Sequence, residues 1–176
     1  MAALIRNREL VQDSWQRLEV AADGGLPAVP QEGDVLVPLA LWQRERPMLL
    51  ERRGRTGVWL KSSEGPESLA PDIGRLPVIA IDFPKVTDGR GYSTARLLRG
   101  RYGYKGELRA IGDVQRDQLL FLSRCGFDAF SLKDGQNAEA ALSAFREFSE
   151  AYQAGVDRPW PLFRRRGSAP AEVEWS

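Results

Sequence analysis

Polar side chains follow three predicted strands in the middle of the chain, and their types suit chemistry on a small ligand. Carboxylates can act as general acids or bases, and Lys and Arg side chains bind anions. Because the carboxyl ends of parallel strands meet at one edge of a sheet, we expect these side chains to lie near that edge. In chain order the three groups are Asp82, Lys85, Asp88 and Arg90; Asp113, Arg116 and Asp117; and Lys133 and Asp134.

The loop around Arg90 has the strongest features of an anion site. Gly89 and Gly91 flank Arg90, and the N–H groups of the helix predicted to follow can cradle an anion. The loop lacks the full spacing of a Walker loop or a dinucleotide fingerprint. Residues 85–105 hold six basic residues and one acidic residue, a net local charge of +5. The candidate anion-binding residues are Lys85, Asp88, Arg90, Tyr92, Ser93 and Arg96.

Ordinary structural roles also explain several of these residues, and the sequence leaves both interpretations open. Ser93 and Asp113 are each typical of a helix N-cap. Asp82 can satisfy Lys85 or Arg109 instead of facing a ligand. A solvated basic helix face explains a further set of side chains, Arg96, Arg99 and Arg101.

Composition restricts the chemistry more than any motif does. The chain has no histidine, and Cys125 is its one cysteine. An intrachain disulfide, a Cys/His zinc site and a cysteine-held iron–sulfur cluster are therefore excluded, as are histidine general bases. We predict no metal and no cofactor, and we expect Cys125 to be a buried structural residue.

Length and charge are those of a soluble globular protein. The 176 residues carry a formal net charge of +1, which argues against a general nucleic-acid binder. The start of the sequence lacks the pattern of a signal peptide, and no apolar run approaches the roughly 18 residues that a membrane span needs. We therefore expect a cytoplasmic protein that binds neither nucleic acid nor membranes.

Short apolar runs predict the strands of an α/β fold. These runs begin near residues 35, 58, 78, 108 and 128. Their spacing predicts repeating β/α units with about five mainly parallel strands and right-handed crossovers. An open doubly wound sheet and a partial barrel both fit this pattern, whereas a complete eight-fold barrel needs about 200 residues or more.

Organisation along the chain predicts one α/β domain over residues 1–155. Residues 1–34 form an N-terminal strand pair and loop, and residues 35–155 form the β/α core. Residues 156–176 lack periodicity and are predicted to be a flexible tail.

Local signals refine this picture at a few positions. For the segment Leu4–Val20, a strand pair that turns at residues 6–8 is the preferred prediction, and an amphipathic helix is the alternative. Pro47 is expected to break or kink the first core helix. Asn137 is predicted to cap a helix over residues 138–153.

The central segment resembles a bacterial family of formally unknown function. The family motif reads DFPK-x-TDGRGYS-x-ARLLR-x-RYGY-x-GELRA-x-GDV-x-RDQL-x-x-L-x-RCGFDAF, and Asp82–Phe130 match it almost throughout. A weaker resemblance covers residues 35–153. Members of that family are labelled as oxidoreductases of sulfite reduction, and their genes accompany those of sulfite reductase. The motif carries over these residues without a catalytic role: Asp82, Lys85, Asp88, Arg90, Tyr92, Ser93, Arg96, Arg116, Asp117, Gln118 and Cys125.

The resemblance implies a part in turning sulfite into sulfide for cysteine synthesis. A sulfite reductase catalyst uses a haem-type centre and an iron–sulfur cluster, and this sequence lacks both ligand sets and any flavin or nicotinamide fingerprint. We therefore expect a non-catalytic subunit, or a docking or electron-transfer partner, of sulfite reductase or its electron donor. The alternative is a small-molecule enzyme or anion-binding α/β module that acts on a sulfated or phosphorylated ligand.

Overall fold

One eight-stranded sheet with helices forms the described part of the chain. A computed structural model describes residues 3–85, 87–133 and 135–145. The strands are β1 Ala3–Arg6, β2 Glu9–Gln12, β3 Gln16–Arg17, β4 Val35–Pro38, β5 Thr56–Lys61, β6 Val78–Phe83, β7 Glu107–Gly112 and β8 Ala129–Phe130. The α-helices are α1 Leu39–Leu50, α2 Arg90–Gly100, α3 Leu119–Cys125 and α4 Ala138–Leu142. Short 3-10 helices span Pro66–Arg75, Arg116–Gln118 and Ser143–Phe145.

The strand order identifies the sheet as a curled half-barrel. Strands β3 to β8 lie side by side in chain order, and each is parallel to the next. The hairpin β1–β2 extends the sheet beyond β8, because β1 pairs antiparallel with β8 and β2 becomes an edge strand. A doubly wound sheet reverses its strand order part-way across, and this sheet does not. The α/β prediction is confirmed, the partial barrel is the better of the two architectures, and the estimate of five strands was too low.

Strand β3 escaped prediction because it consists of Gln16–Arg17 alone. Two polar residues make no apolar run, and only the backbone pairing of Gln16 with Val35 and Arg17 with Leu36 places them in the sheet. Such a strand takes its conformation from its neighbour rather than from its own sequence.

Strands β4 to β8 are buried on both faces. Side chains alternate along β6, so Ile79 and Ile81 pack with the helices, whereas Val78 and Ala80 belong to a second cluster on the opposite face. We call this opposite face, which carries Val78 and Ala80, the inner face. Trp15 and Val20, from the segment around β3, pack against its apolar cluster. The continuous apolar runs of the core strands are the consequence.

Local predictions can be compared with the backbone. The N-terminal strand pair is confirmed: Asn7 and Arg8 form its turn with φ values of 51° and 65°. Helix α1 is kinked at Glu45, two residues before Pro47, as expected from a proline inside a helix. Asn137 caps α4, since its Oδ1 accepts the Ala140 N–H at 3.0 Å.

Part of the predicted C-terminal region lies outside the described residues. This applies to residues 146–153 of the last predicted helix, to residues 154 and 155 at the end of the predicted domain, and to the predicted tail, residues 156–176. The extent of the domain therefore stays a prediction. In the part of the chain that the structure covers, no helix has the length and apolar character needed to cross a membrane.

Candidate anion-binding cleft

A cleft of about 570 Å³ opens at the carboxyl ends of β5 and β6. Its floor comes from the inner face of the sheet, where Lys61 and Asp82 are register partners on neighbouring strands. The segment that follows β3, residues 17–24, forms the facing wall. Three cations, Arg17, Lys61 and Arg90, line the cleft together with the carboxylates of Glu19 and Asp82.

Arg90 is held in place by Asp88 and Ser62. Its Nε and Nη2 donate to the two carboxylate oxygens of Asp88 at 3.0 and 2.7 Å, and Nη2 also donates to Ser62 Oγ at 3.1 Å. The Ser62 hydroxyl donates to Asp88 Oδ2 at 2.7 Å. The Arg90 and Ser62 hydrogen bonds hold the pKa of the Asp88 carboxyl well below its usual range. This bidentate pairing leaves Nη1 of Arg90 to donate to a ligand.

Arg17 is fixed by an aromatic face and two acids. Its guanidinium carbon lies 4.3 Å from the centre of the Trp59 ring, a cation–π contact. Its Nη2 donates to Asp82 Oδ1 at 3.3 Å, and its Nε lies 2.7 Å from Glu19 Oε1 without the alignment of a hydrogen bond. Trp59 is fixed in turn by donation from Nε1 to the carbonyl of Leu18 at 2.9 Å. Asp82 therefore satisfies Arg17, rather than Lys85 or Arg109 as the sequence suggested.

Lys61 is the cation of the cleft that other side chains do not neutralise. Its backbone N–H donates to Glu64 Oε2 at 2.8 Å, and this bond fixes the turn after β5. Within the described ranges of the chain, the exposed Lys61 ammonium has no ion-pair partner. A free ammonium in the same cleft as the oriented Arg90 provides hydrogen-bond donors of positive charge, which suit a small oxyanion.

Only some of the predicted site residues line the cleft. Asp82 and Arg90 line the cleft, and Asp88 lies behind Arg90. Three other candidates are exposed and do not line it: Lys85, Ser93 and Arg96. Ser93 is not a helix cap, because α2 begins at Arg90, whose N–H donates to Asp88 Oδ1 at 3.2 Å.

Tyr92 faces α3 rather than the cleft. Its ring packs 4.9 Å from the ring of Phe121 and 5.3 Å from that of Phe83, measured between centroids. Its Oη accepts a hydrogen bond from Gln118 Nε2 at 3.1 Å, and burial raises its pKa. These contacts join two helices and the sheet.

The polar group after β7 makes its own contacts outside the cleft lining. Lys133 Nζ lies 2.9 Å from Asp113 Oδ1, so the second and third predicted groups meet, although Asp134 lies outside the described residues. Arg116 donates to Ser143 Oγ at 2.9 Å, and Asp117 is exposed. Asp113 does not cap a helix, since Gln115 takes the N-cap position of the short 3-10 helix there.

Two further residues complete the comparison with the sequence predictions. A solvated face is one of the interpretations that the sequence leaves open for Arg99, but its side chain is only 14% exposed and pairs with Asp128 at 2.7 Å. Cys125 is buried, as predicted. Among the described residues, no group of three or more Asp, Glu, Cys or His side chains is arranged to hold a metal ion.

Comparison with known families shows which family the chain belongs to. The family model described as "Bacterial protein of unknown function (DUF934)" matches residues 57–163. The chain belongs to this family. The DUF934 region includes Lys61, Asp82 and Arg90, whereas Arg17 and Glu19 precede it. Its description names no activity, so the link to sulfite reduction stays a prediction. No curated protein and no solved structure matches the chain.

Proposed function

We propose that this protein is a cytoplasmic accessory protein of assimilatory sulfite reduction that binds a small anion in the strand-end cleft. The observation that supports the binding role is the presence of the unpaired Lys61 ammonium and the oriented Arg90 guanidinium in one cleft. The carboxyl edge of parallel strands is also where α/β proteins bind their ligands.

The assignment to sulfite reduction rests on the family resemblance of Asp82–Phe130. The sequence supports an accessory rather than a catalytic role, because one cysteine and no histidine cannot supply the usual ligands of a sulfite reductase centre. The protein would act as a subunit of sulfite reductase, or as a docking or electron-transfer partner of the reductase or of its electron donor.

A second candidate is an enzyme that acts on a sulfated or phosphorylated ligand. The position of Asp82 favours it, since this carboxylate lies on the cleft floor beside Lys61. A carboxylate next to a cation at a strand end is an arrangement that general acid or base catalysis uses. Release of sulfate or phosphate from an ester by the purified protein would support this candidate over a purely binding role.

Growth of a bacterial strain lacking the gene tests the proposal. We expect the strain to grow on sulfide but not on sulfate or sulfite, and wild-type protein to restore growth. Lys61→Ala should fail to restore it, whereas Arg53→Ala, which removes an exposed cation outside the cleft lining, should succeed. Normal growth of the deletion strain on all three sulfur sources would contradict the role in sulfite reduction.

A further inference from the structure

We infer that the cleft binds an organic ester of phosphate or sulfate, with its oxyanion at Lys61 and Arg90 and its organic part against the apolar side chains of Val20, Ala21 and Ala22 in the facing wall. This inference rests on the proposed anion-binding function and adds the class of ligand. Three features of the cleft support it: its volume, the two cations of its lining, and the apolar side chains of the same lining.

The volume exceeds what a free inorganic anion needs. Sulfite, sulfate and phosphate each have four or five heavy atoms, and a water molecule occupies about 30 Å³ of liquid. The cleft measures about 570 Å³ and falls in the range of sites for small organic ligands, roughly 300–1,000 Å³. An inorganic anion would fill a small part of it and leave the rest to water.

Two cations of the cleft lining supply the donors for the oxyanion. Lys61 lies at the end of β5, directly before Ser62, and the Ser62 hydroxyl is bonded to Asp88 and Arg90. Lys61 and Arg90 therefore both line the cleft, and Ser62, which follows Lys61 in the chain, is hydrogen-bonded to Arg90. Four or more N–H donors of two cations match the several oxygens of a phosphate or sulfate group.

Four other residues of the cleft lining are apolar. Val20, Ala21, Ala22 and Pro84 present apolar side chains to the cleft, and Gly24 ends the wall in a turn with φ of 83°. Small apolar side chains provide a surface on which an organic group can bury its own apolar area. A free oxyanion buries no apolar area on such a surface, whereas an ester can contact both the cations and the apolar side chains of the cleft.

Calorimetric titration of the purified full chain tests the inference. The probes are phenyl phosphate and phenyl sulfate on one side, and inorganic phosphate, sulfate and sulfite on the other. We expect at least one ester to bind about tenfold or more tightly than the free anions, because only the ester buries apolar surface. Lys61→Ala should weaken ester binding about tenfold, because it removes a charged donor.

Two variants control this experiment. Ala22→Trp should fill the apolar part of the cleft, weaken ester binding about tenfold and leave binding of the free anions unchanged. Lys85→Ala, an exposed cation of the same loop that does not line the cleft, should bind like wild type. Because Ala22 and Lys85 are both exposed, neither change should disturb folding, which thermal unfolding followed by circular dichroism verifies.

The outcomes separate the inference from the proposed function. Equal affinity for esters and free anions would overturn the ester and keep the anion site. Ester binding that neither Lys61→Ala nor Ala22→Trp alters would place the ligand elsewhere and overturn the inference. Absence of binding by every probe would overturn both.

Discussion

The hydroxyl of Tyr104 shows how a single buried polar group makes stability depend on pH. The side chain is buried, and its Oη donates toward the carbonyls of Leu76 and Glu107 at 3.0 and 3.1 Å. Burial raises the pKa of Tyr104 far above the usual value of about 10. The folded protein therefore keeps this proton at a pH at which the unfolded chain loses it. The stability that this group contributes is complete below pH of about 10 and decreases as the pH rises further.

Tyr104→Phe should lower the free energy of unfolding by about 1 kcal/mol at neutral pH, because two carbonyls lose their hydroxyl donor. The difference from wild type should shrink as the pH rises from about 9 to about 11, since only wild type loses the Tyr104 contribution there. Urea unfolding at several pH values measures this. Tyr102→Phe, at a half-exposed position, serves as the control. A difference that is constant with pH would contradict the assigned cause.

Individual residues of the cleft were only partly predictable from sequence. Asp82, Asp88 and Arg90 could be identified because they follow a recognisable strand and lie close together in the chain. Arg17 could not, because it reaches Asp82 across 65 residues and lies on a strand without an apolar run. Lys61 could have been found by applying the same strand-end rule to β5, which it terminates.

Helix α2 approaches the sheet closely at Gly91. A Cβ atom at this position would lie 2.6 Å from Cζ of Phe83 and 3.1 Å from Cγ2 of Ile81. Real Cβ atoms do not come so close to a rigid ring, so the first turn of α2 can rest on β6 only with glycine there. The contact also fixes the position of the neighbouring Arg90 at the cleft.

Gly91→Ala should destabilise the protein by about 1–3 kcal/mol through overpacking between α2 and β6. Gly100→Ala is the matched control in the same helix, because its added Cβ would meet no atom within 4 Å. This control should change stability little, or raise it by up to about 1 kcal/mol through loss of backbone entropy in the unfolded chain. Chemical denaturation compares the two. Equal effects at both positions would contradict the close approach at Gly91.

Elements with a strong local pattern were predictable, and elements defined by pairing were not. Strands β4 to β8 contain apolar runs that can be read from the sequence. Residue type also predicts the N-cap of α4 at Asn137 and the kink of α1 near Pro47. The start of α2 was misplaced because Ser93 is a good cap by type, whereas Asp88 accepts the first free N–H from outside the helix. A cap is identified by geometry as well as by residue type.

At the scale of the whole molecule, Arg109 ties the N-terminal segment to the centre of the sheet. Its side chain is 1% exposed on the inner face of β7. Nη1 donates to both carboxylate oxygens of Asp13 at 3.0 and 2.9 Å, and Nε donates to Glu107 Oε1 at 2.7 Å. A buried arginine of this kind is balanced only while both acids remain in place.

Arg109→Met should cost about 3–5 kcal/mol, because it leaves the low-exposure carboxylate of Asp13 without its cation and leaves Glu107 with Arg6 alone, at 3.6 Å. Arg55→Met provides the comparison, since Arg55 pairs with Asp34 but is 62% exposed, and loss of a surface pair costs at most about 1 kcal/mol. Thermal unfolding of both variants tests this. A similar loss in the two would show that Arg109 does not link the segment to the sheet.

The sequence predicted a parallel α/β sheet but did not distinguish an open doubly wound sheet from a partial barrel. Apolar runs locate parallel strands, but the order of strands in a sheet depends on which face each crossover covers. Here the order of β3 to β8 follows the chain, and this curls the sheet and leaves its inner face to the segment that carries Trp15 and Val20. That segment contains no strong periodicity, so its role as a cover was not evident from the sequence.

The pairing of β1 with β8 has a consequence for the order in which the chain folds. Strands β4 to β8 can each pair with the strand synthesised just before, so this part of the sheet grows by contacts between neighbours in sequence. Strand β1 can join the sheet only after β8 has formed, because Ile5 pairs with Phe130. Closing a loop of this length is slow. Pulse-labelled hydrogen exchange should find the amides of β6 protected before those of β1. Until β8 leaves the ribosome, Ile5 lacks the strand with which it pairs, so we expect the apolar side chains of β1 to be accessible to chaperones on the nascent chain.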